Sequence, residues 1–266
     1  MPTFGLIHYN APGDTVEEFL NFAAEAGFDT VELHSGDVWP KGSDQPEAEA
    51  EKVRRLLDAR GLRMSALAAQ NDFVLLDPEA VAAQVTRMRR ICGLVKILGG
   101  NVVRTEGGAP KDDVPESRWA EAIAGCLTRC IEFVEPMGMY LAVDNHGYVT
   151  NAAGVQLDVF RRVQSDHVGA NFDTMNYRWF GHELEALRDI YAGIAPFTYH
   201  THLKDGAGSR QTYRGSALGE GEIDLAWAVR CLKRAGYKGV WCAEFEGSTD
   251  RAEGYRKCLA WMRANI

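Results

Sequence analysis

No stretch of the 266 residues approaches the roughly 20 consecutive apolar positions that a membrane span needs, so a membrane protein is not expected. The N-terminal Met-Pro-Thr-Phe-Gly-Leu-Ile has neither the charged region nor the cleavage site of a signal peptide. No Cys-x-x-Cys pair occurs among the six cysteines, which lie at 92, 126, 130, 231, 242 and 258. Cys126 and Cys130 are four apart on an expected helix, a spacing read as core packing. Reduced thiols in a cytoplasmic protein are therefore expected. Positive charge is also short, with 29 Lys and Arg against 37 Asp and Glu, a formal charge of −8 and a pI near 5.4. That balance speaks against a nucleic-acid-binding surface. Neither a linker nor a compositional shift divides the chain.

What is present is a rhythm. Short apolar strands alternate with long amphipathic stretches, about 33 residues per unit, as in a parallel βα array. Strands are expected at Phe4–Tyr9, Thr30–His34, Arg63–Gln70, Asn101–Glu106, Met139–His146, Val168–Thr174, Tyr199–Gly206 and Gly239–Phe245. Asp14 and Glu17 are expected to form the capping box of the first helix. Later helices are expected at 46–60, 78–98, 116–137, 152–164, 183–194, 224–236 and 251–264. Eight such pairs predict one (β/α)8 barrel spanning 1–266 as a single domain. A doubly wound sheet would need a Gly-rich dinucleotide turn after an early strand, and none is present. Two long connections, Gly107–Pro115 and Gly206–Ile223, interrupt the rhythm, and the second is a candidate lid.

In such barrels the catalytic face is the C-terminal end of the strands. Alternation places Asp144 and His146 on one face of the fifth strand, and Asn171 and Asp173 on one face of the sixth. It likewise groups His200, His202 and Lys204 on the seventh, opposite Tyr199, Thr201 and Leu203, and Glu244 and Glu246 on the eighth. Four consecutive strands thus aim carboxylates or imidazoles at one end of the barrel. Buried carboxylates are costly unless paired or bound to a cation. One nitrogen with several carboxylate oxygens suits Mn²⁺, Mg²⁺, Co²⁺ or Zn²⁺. The competing explanation is a set of internal salt bridges, with Arg104 and Lys204 neutralising the acids.

The chain resembles the xylose-isomerase-like superfamily of TIM barrels, the sugar phosphate isomerase/epimerase group. The resemblance rests on Glu32 in Val-Glu-Leu, Asp-Asn-His-Gly at 144–147 and Asn-Phe-Asp-Thr at 171–174. It continues in His-Leu-Lys-Asp at 202–205, Gly-Glu-Gly-Glu-Ile-Asp at 219–224 and Glu-Phe-Glu-Gly at 244–247. It implies one divalent metal ion, Mn²⁺ first, held by Asp144, Asp173, His202 and Glu244. Two departures stand out. The fifth-strand ligand is Asp where the family usually has Glu, and Met175-Asn176-Tyr177-Arg178 follows the sixth strand where the family often has His.

The activity implied is proton abstraction beside the carbonyl of a ketose or keto-sugar, through a metal-stabilised enediolate, giving an isomerase or epimerase. A superfamily lyase (3-keto-glycoside deglycosylating lyase or sugar dehydratase) is the alternative. A metal-dependent DNA-repair endonuclease and a non-catalytic binding subunit come behind it. The family's acid/base pair falls on Asp144 and Glu244, and the shortened Asp144 shifts base duty toward His146, whose imidazole titrates near neutrality. Lys204, Arg104, Glu32 and Glu106 are candidate contacts to substrate oxygens, with Gln70 at similar depth. Trp39, Phe73, Tyr177 and Trp179 are candidate walls for a sugar ring. The expected partner is a small sugar; nucleic acid and membrane are not expected, and homo-oligomerisation is left open.

Overall fold

Hydrophobic alternation in eight short segments builds eight parallel strands, and the amphipathic segments between them supply the surrounding helices. A computed structural model describes residues 1–248 and 250–266. In chain order the elements begin β1 (Thr3–Ile7), α1 (Val16–Ala26), β2 (Thr30–His34), α2 (Ser35–Val38), α3 (Pro46–Ala59), β3 (Arg63–Ala68) and α4 (Pro78–Ile97). They continue with β4 (Val102–Thr105), α5 (Trp119–Val134), β5 (Tyr140–Asp144), α6 (Ala153–Val163), β6 (Val168–Asp173), α7 (Asn176–Phe180) and α8 (Leu184–Ile194). The last are β7 (Thr198–Leu203), a hairpin of β8 (Asp205–Ala207) and β9 (Arg214–Ser216), α9 (Leu225–Arg234), β10 (Val240–Ala243) and α10 (Arg251–Asn265). The closed order is β1-β10-β7-β6-β5-β4-β3-β2. The fold is a (β/α)8 TIM barrel.

The main core lies between barrel and helices. Leu33, Leu67, Val103, Leu141, Phe172 and Leu203 point outward from their strands into a layer that includes Phe19, Leu94, Ile123, Phe160 and Leu232. Each such side chain contributes about 1.5–3 kcal/mol of burial. The lumen is different. Among the described residues, Ala66, Val102 and Ala142, with Tyr140 and Tyr199 against them, form a small apolar plug there. Barrels of this kind are usually filled by layers of branched aliphatic side chains. Here most of the lumen is left to polar groups.

Two expectations are corrected, and the 206–223 connection takes a definite form. Helix α1 is capped by Thr15, not Asp14: the Thr15 hydroxyl accepts from Glu18 N–H, and the Glu18 carboxylate accepts from the N–H groups of Asp14 and Thr15. Tyr199 is not on the outer face with Thr201 and Leu203. A bulge between β6 and β7 sets Thr198 opposite Ala170 but His200 opposite Asn171, and the extra residue turns its ring against Tyr140, with ring centroids 4.7 Å apart. The 206–223 connection is a pinned hairpin. The buried Asp205 carboxylate accepts N–H groups from Gly206, Gly219, Gly221 and Ile223, at 2.8, 2.9, 3.1 and 3.3 Å. A Cβ on Gly221 would collide with that carboxylate.

All six cysteines are buried and unpaired, and Cys126 and Cys130 pack inside α5. Burial pushes the Cys126 thiol up to about 12. No described helix is long and apolar enough to cross a membrane.

Candidate active site

The strands deliver their polar ends to the lumen in layers. His200 on β7 and Asn171 on β6 lie deepest, with Glu32 on β2 beside them. Above them come Arg104 on β4, Asp144 on β5, Asp173 on β6, His202 on β7 and Glu244 just past β10, all buried. Lys204 and Glu246 follow toward the mouth.

Asp173 is oriented by its own turn. Its Oδ1 accepts the backbone N–H groups of Met175 and Asn176, both at 2.8 Å, which leaves Oδ2 facing the lumen. The strand end beneath it is stitched by Asn145, whose side chain accepts from Asp173 N–H and donates to Asp173 O. Asp173 Oδ2 is buried without a hydrogen-bond partner, as is His202 Nδ1, 3.8 Å away. Glu244 Oε2 lies 2.8 Å from the same nitrogen, without the alignment of a hydrogen bond. One ligand atom from each of Asp173, His202 and Glu244 lies within 4.8 Å of the other two. The second nitrogen of His202, Nε2, is 2.7 Å from Glu32 Oε2.

Asp144 lies beside this set and is held at the barrel wall. Its Oδ2 is 2.7 Å from Arg104 Nη1 and its Oδ1 accepts from Asn171 Nδ2 at 2.6 Å. The side chain is one methylene shorter than Glu, and both its oxygens are engaged at the barrel wall. Arg104 also donates through Nε to Glu32 Oε1 at 2.6 Å. Arg104 and Glu32 therefore form a buried pair beneath the cavity. Arg104 and His202 hold the Glu32 carboxyl low although burial pushes it up.

Four buried carboxylates, Glu32, Asp144, Asp173 and Glu244, face two buried permanent cations, Arg104 and Lys204. Two negative charges remain. Lys204 Nζ lies 3.2 Å from Asp173 Oδ2, 3.1 Å from Glu244 Oε1 and 3.5 Å from Glu246 Oε1. Burial opposes the charge of His202, yet Glu32 and Glu244 raise its pKa well above the usual value. Even so, Asp173 is pushed up to about 7 by burial, against Lys204 and helped by Glu244 and Asp144. The cluster is one cation short. Asp173 Oδ2, shared with Lys204, and His202 Nδ1, 2.8 Å from Glu244 Oε2, are donor atoms of the kinds that a divalent ion takes.

Above the cluster lies a cavity of about 670 Å³, lined by Tyr9, Asn10, His146, Trp179, Lys204, Tyr213 and Glu246 among others. His146 is 56% exposed and places Nδ1 3.7 Å from Asp144 Oδ2. A smaller adjoining cavity of about 260 Å³ holds Glu106 and shares His146. A third, of about 470 Å³, opens at the opposite end of the barrel and has none of this cluster's ligand atoms on its walls.

The xylose isomerase-like TIM barrel family pattern matches residues 20–265. The chain belongs to that family. Among curated proteins it is similar to the inosose isomerase of Bacillus velezensis, 23% identical over 233 residues, covering 85% of this chain and 81% of the relative. The fold is shared with the IolI protein solved with a binding zinc atom, at TM-score 0.81 and 17% identity, covering 99% of this chain and 98% of that one. It is also shared with the D-allulose 3-epimerase of Methylomonas sp., at TM-score 0.79 and 17% identity, covering 100% and 98%.

Of the aromatic walls expected for this family member, only Trp179 lines the main cavity. Tyr177 is fully buried and donates its hydroxyl to Gln156 Oε1 at 2.5 Å, Phe73 is in the core, and Trp39 packs under Arg87 and Arg90. Gln70 faces the Ser35 hydroxyl at 2.9 Å and lines neither mouth cavity. Sequence reasoning missed Tyr9, Asn10, Tyr213 and Arg251. Tyr9 and Asn10 lie just beyond the end of β1, the same location that made the other strand ends informative. Tyr213 comes from the hairpin, where its hydroxyl donates to Glu246 Oε2 at 2.6 Å.

Proposed function

We propose that this xylose isomerase-like TIM barrel is a divalent-metal-dependent sugar isomerase or epimerase acting on a ketose or keto-sugar. The observation that carries the reading is the convergence of Asp173 Oδ2, His202 Nδ1 and Glu244 Oε2 under a polar cavity of sugar size. Asp173, His202 and Glu244 hold the ion; Mn²⁺ is our assignment, and Zn²⁺, Co²⁺ and Mg²⁺ are the competitors. When bound, the ion supplies Lewis acidity that polarises a carbonyl and acidifies the adjacent C–H. Similarity to inosose isomerases supports a cyclic or open-chain polyhydroxy ketone as substrate.

The chain's own residues then divide the work. His146, backed by Asp144, is the base that removes the proton beside the carbonyl, and the substrate becomes an enediolate. Glu244 comes from a strand three steps around the barrel from β5, so it approaches the substrate from another side and can return a proton. The Lys204 ammonium is placed to hold a substrate oxygen. Glu246, Asn10 and Glu106 offer partners to hydroxyls, and Trp179 offers its ring face to the apolar face of a sugar.

The test is a product assay by NMR with inosose, D-allulose and a 3-keto-glucoside, each with added Mn²⁺. Isomer or epimer formation supports the reading. Elimination products alone would assign the site to a lyase, and inertness toward the whole panel would overturn a ketose substrate.

A further inference from the structure

The long connection from β4 to α5, residues 107–115, has no part in the chemistry proposed so far. It is nevertheless firmly held. Phe73 N–H donates to Gly107 O at 2.9 Å, Lys111 Nζ lies 2.6 Å from Asp72 Oδ2, and Val114 N–H donates to Lys111 O at 3.2 Å. Gly108 takes φ 120°, and a Cβ there would collide with the Asp72 carboxylate. Gly108, Ala109 and Pro110 line the cavity of about 260 Å³ together with Glu106 and Tyr148. That cavity and the main one share His146 and Gly147, so the proposed base stands on a wall common to both.

Two groups on this cavity are open to solvent and fixed in place. Tyr148 is 50% exposed, yet its ring is held: Trp179 meets it edge-on with centroids 5.9 Å apart, and the Arg210 guanidinium lies 5.4 Å from its centroid. Arg210 is itself set by its Nε bond to Phe180 O at 2.9 Å. Glu106 is 27% exposed, and Asn71 clamps its backbone, accepting from Glu106 N–H at 2.9 Å and donating to Glu106 O at 2.7 Å. The Glu106 carboxylate makes no hydrogen bond among the described residues, and Arg104 Nη1 stands 3.8 Å from it. An exposed aromatic ring with a free carboxylate nearby suits a carbohydrate, whose C–H face packs on the ring and whose hydroxyls donate to the acid. An ammonium ligand fits less well. Arg210 already occupies the Tyr148 ring, and Arg104 and Lys111 already face the two acids on the wall, Glu106 and Asp72.

We propose that this cavity is a second sugar subsite, so that the preferred substrate is a keto-glycoside or keto-disaccharide rather than a single-ring ketose. The proposal rests on the keto-sugar reading given above. The reacting ring occupies the main cavity over Asp173, His202 and Glu244. The second ring passes His146 and lies against Tyr148, with a hydroxyl donated to Glu106. A volume of about 260 Å³ gives room for one further ring, which a free ketose would leave to water.

Isothermal titration calorimetry of the full chain with Mn²⁺ tests this, comparing methyl glucoside with methyl maltoside, methyl cellobioside and sucrose. None carries a free carbonyl, so binding is read apart from turnover. At least one of the two-ring sugars should bind about tenfold more tightly than methyl glucoside. Tyr148→Ala should remove that preference, and Tyr148→Phe, which keeps the ring, should retain it. Ala109→Trp, at an exposed position on the wall, fills the hollow and should also remove it. Equal affinity for one and two rings, no saturable binding by any probe, or a preference that Tyr148→Ala leaves unmoved would overturn the subsite. The two readings fail separately. Epimer or isomer formation from D-allulose with no preference for two rings keeps the proposed function and overturns the subsite. A Tyr148-dependent preference without turnover of any keto-sugar keeps the subsite and overturns the function.

Discussion

Glu32 on β2 and His202 on β7 meet across the barrel lumen, with Oε2 of the acid 2.7 Å from Nε2 of the imidazole. The contact orients the ring and turns Nδ1 toward Asp173 and Glu244. A carboxylate in this position behind a ligating histidine typically governs metal affinity by 10–100-fold. Glu32→Gln keeps the shape and removes the charge. It should weaken Mn²⁺ binding by about 10–100-fold in a competition titration against a chromophoric chelator. Glu32→Ala also strips Arg104 of a buried partner and should lower stability to urea by about 3–5 kcal/mol.

His146 separates chemistry from stability. Its side chain is more exposed than buried and touches the network only through Asp144 at 3.7 Å. His146→Ala should lower kcat by about 10²–10⁴-fold with no change in thermal midpoint. Asp144→Asn, by contrast, removes a buried charge from Arg104 and should reduce both. An unchanged kcat in His146→Ala would move the base to another group.

The pH dependence of ion binding follows from Asp173. Its folded-state pKa of about 7 lies above the ordinary value of 3.8, because burial and neighbouring acids oppose ionisation. In the metal-free protein the group's contribution to stability is therefore fully present below pH 3.8 and is lost as pH rises through about 7. Ion binding requires Asp173 ionised and His202 unprotonated, so Mn²⁺ affinity should rise with pH through about 7 and go on rising until His202 has lost its proton. Titrations across that range check the slope, and Asp173→Asn should flatten its part near pH 7 and remove most of the affinity.

Asp205 fixes the hairpin wall through four backbone N–H groups. Asp205→Ala should release residues 206–223, at a cost of about 3 kcal/mol in local stability. Hydrogen exchange should quicken there and not in the barrel strands. KM should rise more than kcat falls, since Tyr213 lines the cavity and bonds Glu246 rather than the proposed base.

Much of the barrel was legible because its signals are local. Thr30–His34 is a strand at the expected limits, and the other barrel strands differ from expectation by no more than three residues at either end. The alternation that groups Asp173, His202 and Glu244 needs only a period of two. What the pattern hid depended on tertiary partners. The capture of Asp144 by Arg104 and Asn171 joins three strands, and no spacing announces it. The bulge at Tyr199 breaks the alternation on which its outward placement rested. The hairpin at 205–216 is read as a loop because three-residue strands carry too little pattern. Glu32 and Arg104 were correctly aimed inward, but their depth depends on register, which periodicity does not supply.

The most direct test of the central claim is solvent deuterium exchange into inosose or D-allulose, followed by NMR on protein stripped of metal and then reloaded with Mn²⁺. The account predicts exchange beside the carbonyl only in the reloaded protein, and its loss in Asp173→Asn and His146→Ala. Full exchange by the stripped protein, at the rate of the reloaded one, would contradict it.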